Sequence, residues 1–178
     1  MEHESNIAYI GLGSNLGDRA GNLLLAVRGI IEAGLEITQL SCIYETQAVD
    51  MENAPPFLNM VAEARTGLIS PTQLLARMLR IEYLLGRKDK SQNLSRPIDL
   101  DLLFFGEQRL DTPFLTLPHP RVHLRNFVLI PLSEIAPDFR HPTLKKNISA
   151  LAANCTDHSG VSRWNPAAVE GFSAPTTS

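Results

Sequence analysis

The chain has 178 residues, of which 44% are hydrophobic and 20% charged, so its composition is that of an ordinary globular domain and excludes collagen-like, coiled-coil and wholly disordered proteins. A formal net charge of −3 at pH 7 gives no overall attraction to nucleic acid or anionic lipid. Two cysteines are too few for a disulfide framework. Without a signal-peptide pattern or about 18 consecutive apolar residues, we expect a cytoplasmic protein that binds neither nucleic acid nor membrane.

The first half of the chain alternates between strand and helix patterns. Residues 7–13 form a β-branched and aromatic run that ends in glycines, which is typical of a strand followed by a turn. Apolar residues then recur at helical spacing from the N-cap candidate Asp18 to Gly34, which predicts the first helix. Alternating apolar and polar residues predict two further strands, over 37–44 and 57–65.

The second helix has the most complete local signature. Ser70 is an N-cap candidate, Pro71 fits the first helical position, and Gln73 completes a capping box. This helix should end at Gly86, and residues 98–105 should form a fourth strand. The order βαββαβ predicts an α+β, ferredoxin-like fold, in which helices pack on one antiparallel sheet.

The last third of the chain is rich in proline. Six prolines lie between residues 113 and 142, so we expect short helices and loops that pack against the sheet as a C-terminal extension. We expect the domain to span residues 1–155. Residues 156–178 end in small and polar side chains, so they should form a mobile tail.

Two aspartates carry the strongest chemical signal. Asp99 and Asp101 lie two positions apart in a predicted strand, so both side chains should point to one side, about 7 Å apart along the chain. Aspartate is disfavoured in strands, and two carboxylates among apolar residues repel each other unless a cation relieves both. Such oxygen ligands suit Mg²⁺, above all when phosphate oxygens complete its shell. The alternative is a solvated edge strand whose two acids bind nothing.

Basic side chains cluster around this pair in the sequence. Arg87 and Arg96 precede it, and four potential cations lie within residues 119–125. Guanidinium groups bind phosphate oxygens bidentately, so this combination predicts a polyphosphate site. We expect His119 to donate a hydrogen bond to phosphate rather than act as a general base, because Arg121 disfavours its protonation. A solvated basic loop is the alternative for any single arginine.

The sequence lacks the familiar nucleotide and hydrolase motifs. There is no Walker A motif, no complete dinucleotide glycine motif and no G-x-S-x-G elbow. We interpret Gly11 and Gly13 as a tight exit from the first strand. Cys42 should be an inert thiol in the core.

One face of the predicted strand over 57–65 suits a planar ligand. If Leu58 and its alternating neighbours face the helices, Phe57 and Asn59 share the opposite face, where a ring lies beside an amide that donates and accepts. Phe127 could supply a second ring from the other side. Packing beneath a loop is the alternative for both aromatic residues.

Six separated stretches together resemble the 6-hydroxymethyl-7,8-dihydropterin pyrophosphokinase family of the folate pathway. In the family's order they are AYIGLGSNLGDR near the start, YET at 44–46, FLN at 57–59, LLGR at 84–87, RPIDLDLLFFG from Arg96 and LPHPRVHLRNFVLIPLSEIAPDF from Leu117.

The resemblance implies a ferredoxin-like enzyme that transfers the diphosphate of ATP to the hydroxymethyl oxygen of the pterin and releases AMP. Its partners would be the small molecules ATP and hydroxymethyl-dihydropterin, and we expect a monomer. Two Mg²⁺ ions would lie on Asp99 and Asp101, which form the catalytic set with Arg87 and Arg96. The residues implied to bind ATP are Glu82, Arg87, Arg96, Ile98, His119 and Arg125. Those implied to bind the pterin are Thr46, Phe57, Asn59 and Phe127.

Two stretches depart from the family's pattern. Residues 88–95 lack the tryptophan and the basic residue usual before Arg96, and the loop after Thr46 lacks the usual proline. We therefore expect slower closure or altered nucleotide affinity. The alternatives are a non-catalytic ferredoxin-like module that binds a small ligand or RNA, and an inactive or repurposed relative.

Overall fold

The computed structural model describes residues 6–47, 54–87 and 95–166. Within these ranges the chain forms eight strands and four helices. In chain order they are β1 Ile7–Ser14, α1 Arg19–Glu32, β2 Glu36–Leu40, β3 Tyr44–Thr46, β4 Phe57–Arg65, α2 Pro71–Leu84, β5 Asp99–Phe105, β6 Leu110–Asp111, β7 Thr116–Leu117, α3 Asn126–Ile135, α4 Ile148–Ala153 and β8 Val161–Arg163.

One antiparallel sheet forms the frame of the molecule. Its strand order is β5-β1-β4-β3-β8, and β2 also pairs with β4. The strands β2 and β3 follow one another along the same edge of β4, so together they fill the place of one strand. The predicted ferredoxin-like βαββαβ arrangement is therefore confirmed. The short strands β6 and β7 form a separate hairpin.

The single strand predicted over 37–44 is wrong, because the ladder is interrupted at Ser41. The hydroxyl of Ser41 accepts the Val61 N–H at 2.9 Å and donates to the Cys42 carbonyl at 2.8 Å. A side chain that takes over a backbone partner in this way ends regular pairing. Cys42 is consequently half-buried outside the strands, and its N–H donates to Glu134. It is not the core thiol that the alternation predicted.

The predicted starts of both long helices are confirmed. The Asp18 side chain accepts the Gly21 N–H at 3.0 Å, which satisfies one of the free donors at the start of α1. At α2, Gln73 N–H donates to the Ser70 hydroxyl, and the Gln73 side chain accepts the Ser70 N–H in return. Gly86 follows α2 with a φ of 96°, a conformation that glycine adopts without strain.

Apolar side chains pack on both faces of the sheet. Leu58, Met60 and Ala62 of β4 lie in the core shared with α1 and α2. On the other face, Val61 and Phe104 lie in a second core with α3 and α4. The sheet is thus the middle of three layers. The extension after Gly106 supplies the third layer, and its helices pack against the sheet as predicted. No helix in the described ranges combines the length and hydropathy that a membrane crossing needs.

The packed structure continues beyond residue 155. The strand β8 lies within the span expected to be a mobile tail, and it pairs with β3 along three residues. The Trp164 N–H then donates to the Ile43 carbonyl at 2.9 Å. Backbone pairing and a partly buried tryptophan anchor this segment, whereas residues 167–178 lie outside the described part of the chain.

Candidate active site

Asp99 and Asp101 are the first and third residues of β5. The intervening Leu100 and the following Leu102 are 1% and 3% exposed and belong to the core with α1 and α2. The two carboxylates therefore share the opposite face, as predicted from their spacing. Their cross-strand neighbours on β1 are Gly13 and Gly11 respectively.

These two glycines lie beside the carboxylates and are packed by neighbouring side chains: Gly13 is buried, and the Leu103 side chain packs against Gly11. Gly13 lies between Asp99 on β5 and Asn59 on β4. A Cβ atom at Gly13 would lie 3.0 Å from Asn59 Oδ1 and 3.7 Å from the Phe57 ring. Our interpretation of Gly11 and Gly13 as a strand exit is wrong, since both lie inside a paired strand. Asn59 and Asp99 instead flank Gly13 on either side with no side chain of β1 between them, and we call Gly11 and Gly13 the glycine strip.

Arg87 joins Glu82 to Asp99 through largely buried ion pairs. Its guanidinium binds Glu82 Oε1 at 2.9 Å and also contacts Asp99 Oδ1. The side chains of Arg87 and Glu82 are only 6% and 3% exposed, so each would be costly to bury without the other. Glu82 also accepts the Leu100 N–H at 2.7 Å. Its carboxylate therefore orients Arg87 and the start of β5.

Arg96 connects the carboxylates to an aromatic ring. Its guanidinium lies 3.3 Å from Asp99 Oδ2, so both oxygens of Asp99 have arginine partners. The same guanidinium lies 5.3 Å from the centre of the Phe57 ring, within cation–π range.

Arg125 and His119 approach the same face from the segment before α3. The Arg125 guanidinium lies 5.4 Å from the centre of the Phe127 ring. Burial, followed by repulsion from Arg121, lowers the pKa of Arg125, and attraction to Asp101 opposes the shift. His119 Nδ1 accepts the Arg121 N–H at 3.2 Å. A neutral imidazole whose Nδ1 accepts in this way carries its proton on Nε2, where it can donate a hydrogen bond.

Thr46, Phe57 and Asn59 come together where β3 pairs with β4. Thr46 lies directly opposite Phe57, and Asn59 Nδ2 donates to Thr46 Oγ1 at 2.9 Å. Thr46 and Asn59 are 4% and 7% exposed. Phe127 lies in the first turn of α3, which packs against β3 and β4 on this face. The structure thus brings the predicted pterin residues to one side of the sheet.

The side chain of Ile98 does not face the carboxylates. It is 0% exposed and belongs to the core with α1 and α2. Its neighbour Asp99 faces the other side of the sheet, and successive residues of extended backbone alternate between faces. The predicted nucleotide contact at Ile98 would therefore have to come from its backbone.

A cavity of about 260 Å³ lies beside Asp101. Its walls come from Leu75 of α2, residues 100–102 of β5, residues 112–116 of the β6–β7 hairpin, and His119 with Pro120. Apolar walls next to a few polar groups suit a heterocyclic base. The sequence analysis missed this hairpin, because strands of two residues leave no periodic pattern to detect.

Asn15 is a further residue that the sequence analysis missed. It is 1% exposed, and its Oδ1 accepts the Arg96 N–H at 2.8 Å. Its Nδ2 donates to the Ser95 hydroxyl and to the Pro55 carbonyl, each at 3.3 Å. One buried amide thereby joins the segments that lead into Arg96 and into Phe57. Residues 48–53 and 88–94, which carry most of the departures noted above, lie outside the described residues.

The donor set at the carboxylates suits a hard cation that also binds phosphate. In the part of the chain that the structure describes, no group of three or more His, Cys, Asp or Glu side chains could hold a metal. Asp99 and Asp101 offer two carboxylates, and Mg²⁺ is commonly held by one or two carboxylates together with substrate phosphates and water. The residues present therefore fit Mg²⁺ bound jointly with a nucleotide.

Comparison with known proteins gives one consistent result. The family profile described as 7,8-dihydro-6-hydroxymethylpterin-pyrophosphokinase (HPPK) matches residues 9–137. The chain is similar to the 2-amino-4-hydroxy-6-hydroxymethyldihydropteridine pyrophosphokinases of Bacillus subtilis, with 42% identity over 161 residues, and of Aquifex aeolicus, with 40% over 138 residues. These alignments cover 90% and 78% of this chain, and 91% and 85% of the relatives.

A solved structure shares the fold. The Plasmodium falciparum HPPK-DHPS structure with pteroate superposes with a TM-score of 0.68 at 18% identity. The match covers 86% of this chain and 43% of the Plasmodium chain, so this chain spans less than half of that protein.

Proposed function

The chain belongs to the 7,8-dihydro-6-hydroxymethylpterin-pyrophosphokinase family, and from this premise we propose how its residues perform the family's reaction. The protein is an enzyme of folate biosynthesis that transfers pyrophosphate from ATP to hydroxymethyl-dihydropterin. The alternative of a non-catalytic ligand-binding module is not favoured. In the reaction, the hydroxymethyl oxygen attacks the β-phosphorus, the bond from that phosphorus to the α,β-bridging oxygen breaks, and AMP leaves while the hydroxyl proton is lost.

The observation that carries this proposal is the position of the glycine strip. It runs from Asn59, on the proposed pterin side, to Asp99, on the proposed nucleotide side. Because β1 places no side chain between these two residues, a hydroxymethyl group on the pterin can reach a phosphate at the carboxylates. Such alignment converts a bimolecular step into an effectively unimolecular one.

We propose that Asp99 and Asp101 hold two Mg²⁺ ions when the nucleotide is bound. When bound, Mg²⁺ supplies charge neutralisation at the phosphates and acidifies the attacking hydroxyl. The positions of the two carboxylates would determine where the positive charge of Mg²⁺ lies relative to the phosphates. Arg96 keeps Asp99 oriented from one side and Arg87 from the other.

The arginines and His119 are proposed to bind the triphosphate. Arg87, Arg96 and Arg125 bring three guanidinium groups towards the carboxylate face, and their forked donors match phosphate oxygens. His119 presents its Nε2–H, so it can donate without being charged. We propose that Glu82 acts through Arg87 rather than on the nucleotide, because its carboxylate is buried against that guanidinium. The base would lie in the cavity beside Asp101.

The pterin is proposed to lie between Phe57 and Phe127. Asn59 uses its Nδ2 on Thr46, which leaves Oδ1 directed at the glycine strip. That oxygen can accept an N–H from the pterin, and the aromatic rings can stack on its faces. Backbone groups near Thr46 would complete the edge contacts.

The test is AMP release from MgATP by the purified protein. We expect AMP and the pterin diphosphate in equal amounts, and neither product when hydroxymethyl-dihydropterin is omitted or EDTA is added. Saturable pterin binding that needs no metal and yields no AMP would contradict the proposal. We further propose that the active species is a monomer. Sedimentation equilibrium with both substrates bound measures this directly.

A further inference from the structure

The helix that carries Phe127 is capped by a residue far along the chain. Arg125, just before α3, has extended backbone angles and gives no side-chain cap. Instead, Asp157 Oδ2 accepts the Asn126 N–H at 2.8 Å, and the Asn126 side chain donates back to the Asp157 carbonyl. N-caps normally come from the residue next to the helix. Here the first turn of α3 depends on a residue 31 positions later.

The segment that follows Asp157 is fixed to the sheet at its other end. Asp157 Oδ1 accepts the Ser159 N–H at 2.9 Å, which turns the chain towards β3. Val161 then pairs with Thr46, and Trp164 packs against the core with α1 and α2. We call residues 157–164 the C-terminal strap, because they join the start of α3 to the strand that carries Thr46.

Hydrogen bonds attach α3 at both of its ends, to the strap at the first turn and to the region of β3 at the last turn. At the last turn of α3, Glu134 accepts the Cys42 N–H at 3.1 Å and the Tyr44 hydroxyl at 2.9 Å. At the first turn, Asp157 is the corresponding contact. Phe127 lies one residue after Asn126, which bonds to the strap, and two helical turns before Glu134. Loss of the Asp157 tie should therefore free the end that bears Phe127 while the other end stays attached.

We propose that Asp157 is a positioning residue for the pterin pocket, which sets the place of Phe127 relative to Thr46, Phe57 and Asn59 through the strap. This inference rests on the proposed function, which assigns those residues to the pterin. It gives the C-terminal extension a specific role in substrate binding. The carboxylate is suited to this task because it accepts a hydrogen bond from the helix and from the strap at the same time.

The experiment compares Asp157→Ala with Asp157→Asn in the full chain. The alanine variant removes the acceptor, and we expect the KM for hydroxymethyl-dihydropterin to rise about fivefold to tenfold, the range that loss of an N-cap allows. The KM for ATP should stay within about twofold of the parent, since Asp157 is placed on the pterin side. The asparagine variant keeps one acceptor oxygen, which can serve the Asn126 N–H but not the Ser159 N–H as well, so its pterin KM should lie between those of the parent and Asp157→Ala.

Two further measurements keep the outcome clear. Trp164 is the one tryptophan in the sequence, so its fluorescence should change in Asp157→Ala if the strap has detached, while far-ultraviolet dichroism stays unchanged. If Asp157→Ala does not fold, Asn126→Ala decides. It favours the helix, removes only the side-chain contact to Asp157, and should raise the pterin KM in the same direction.

The parent and Phe127→Ala separate this inference from the function on which it rests. A parent without pterin-dependent AMP release would overturn the proposed function. Suppose that the parent is active and that Phe127→Ala raises the pterin KM. If folded Asp157→Ala and Asn126→Ala then leave the pterin KM unchanged, the proposed role of the strap is wrong and the proposed function stands. An equal rise in the KM for ATP and for the pterin would also overturn the role of the strap, since that result indicates general loosening.

Discussion

The two halves of the site are held in different ways. On the nucleotide side, Glu82, Arg87 and Asp99 lie within eighteen residues of one another and are joined by ion pairs that are largely buried. On the proposed pterin side, Asn59 is supported by strand pairing and a hydrogen bond to Thr46, whereas Phe127 comes from a distant helix whose first turn is capped by Asp157. Charged, mutually dependent contacts should therefore respond sharply to single substitutions, whereas the pterin side should respond in smaller, separable steps.

The largest effect should come from Asp101→Asn. Removing one carboxylate charge from the proposed Mg²⁺ site should lower kcat at least a hundredfold, which is about 2.7 kcal/mol of lost transition-state stabilisation. AMP release under saturating substrates measures it. Asp111→Asn is the matched control, because Asp111 is an exposed aspartate whose carboxylate accepts the Thr116 hydroxyl. A rate for Asp101→Asn within about threefold of the parent would rule out the metal role.

Glu82→Gln tests whether the buried charges depend on one another. Glutamine keeps an acceptor for the Leu100 N–H but leaves Arg87 with one carboxylate fewer, so we expect a loss of about 3 kcal/mol in unfolding free energy and about tenfold in kcat. Urea unfolding and AMP release are the measurements. Glu32→Gln breaks the exposed pair with Arg28 and should cost less than about 0.5 kcal/mol. Similar losses in the two variants would show that burial of the Glu82 pair is unimportant.

Acid should lower the free energy of unfolding through His141, which packs against Phe104 of the second core. Burial, followed by repulsion from His123, lowers the pKa of His141 from 6.5 to about 4. The unfolded chain therefore takes up this proton first, and unfolding free energy should fall as pH drops from 6.5 to about 4, with no further loss from this group below that.

The expected contribution is about 2 to 3 kcal/mol over that range. His141→Asn retains an acceptor for the Thr143 and Leu144 N–H groups but cannot titrate, so its stability should vary less with pH. The exposed His158 supplies the control, His158→Asn. Parallel pH profiles for the parent and His141→Asn would show that His141 is not responsible.

Gly13→Ala should affect the pterin side alone. Its new Cβ would lie 3.0 Å from Asn59 Oδ1, closer than side chains normally pack, and Asn59 must shift to admit it. We expect the pterin KM to rise about tenfold, or about 1.4 kcal/mol, with the KM for ATP little changed. Gly11→Ala is the control, since its Cβ would meet Leu103 at an ordinary 3.5 Å. A larger effect from Gly11→Ala would refute our account of the strip.

Local spacing accounts for what could be predicted from the sequence. The capping box at Ser70 and the shared face of Asp99 and Asp101 depend only on residues two or three apart, and backbone geometry fixes such relations. The same alternation places the Ile98 side chain in the core, since a residue next to Asp99 must face the other way. The fold followed from the order of these local elements.

The parts that were missed depend on contacts between distant residues. Whether Gly13 opens a site or ends a strand is decided by its register against Asn59 and Asp99, which one sequence does not contain. Asn15 gains its importance only when the segments at Pro55 and Ser95 meet. Asp157 could not be recognised as a cap, because its helix begins thirty-one residues earlier.

The three-layer architecture also affects the order in which the parts of the enzyme can fold during translation. A nascent chain that has emerged from the ribosome as far as Phe105 holds every strand from β1 to β5 together with α1 and α2, so half of the molecule can fold while synthesis continues. The carboxylate face is still bare to solvent at that stage, because α3, α4 and β8 are translated later. The chain should therefore become catalytically active only late in translation, once β8 has been made and can pair with β3 at Thr46.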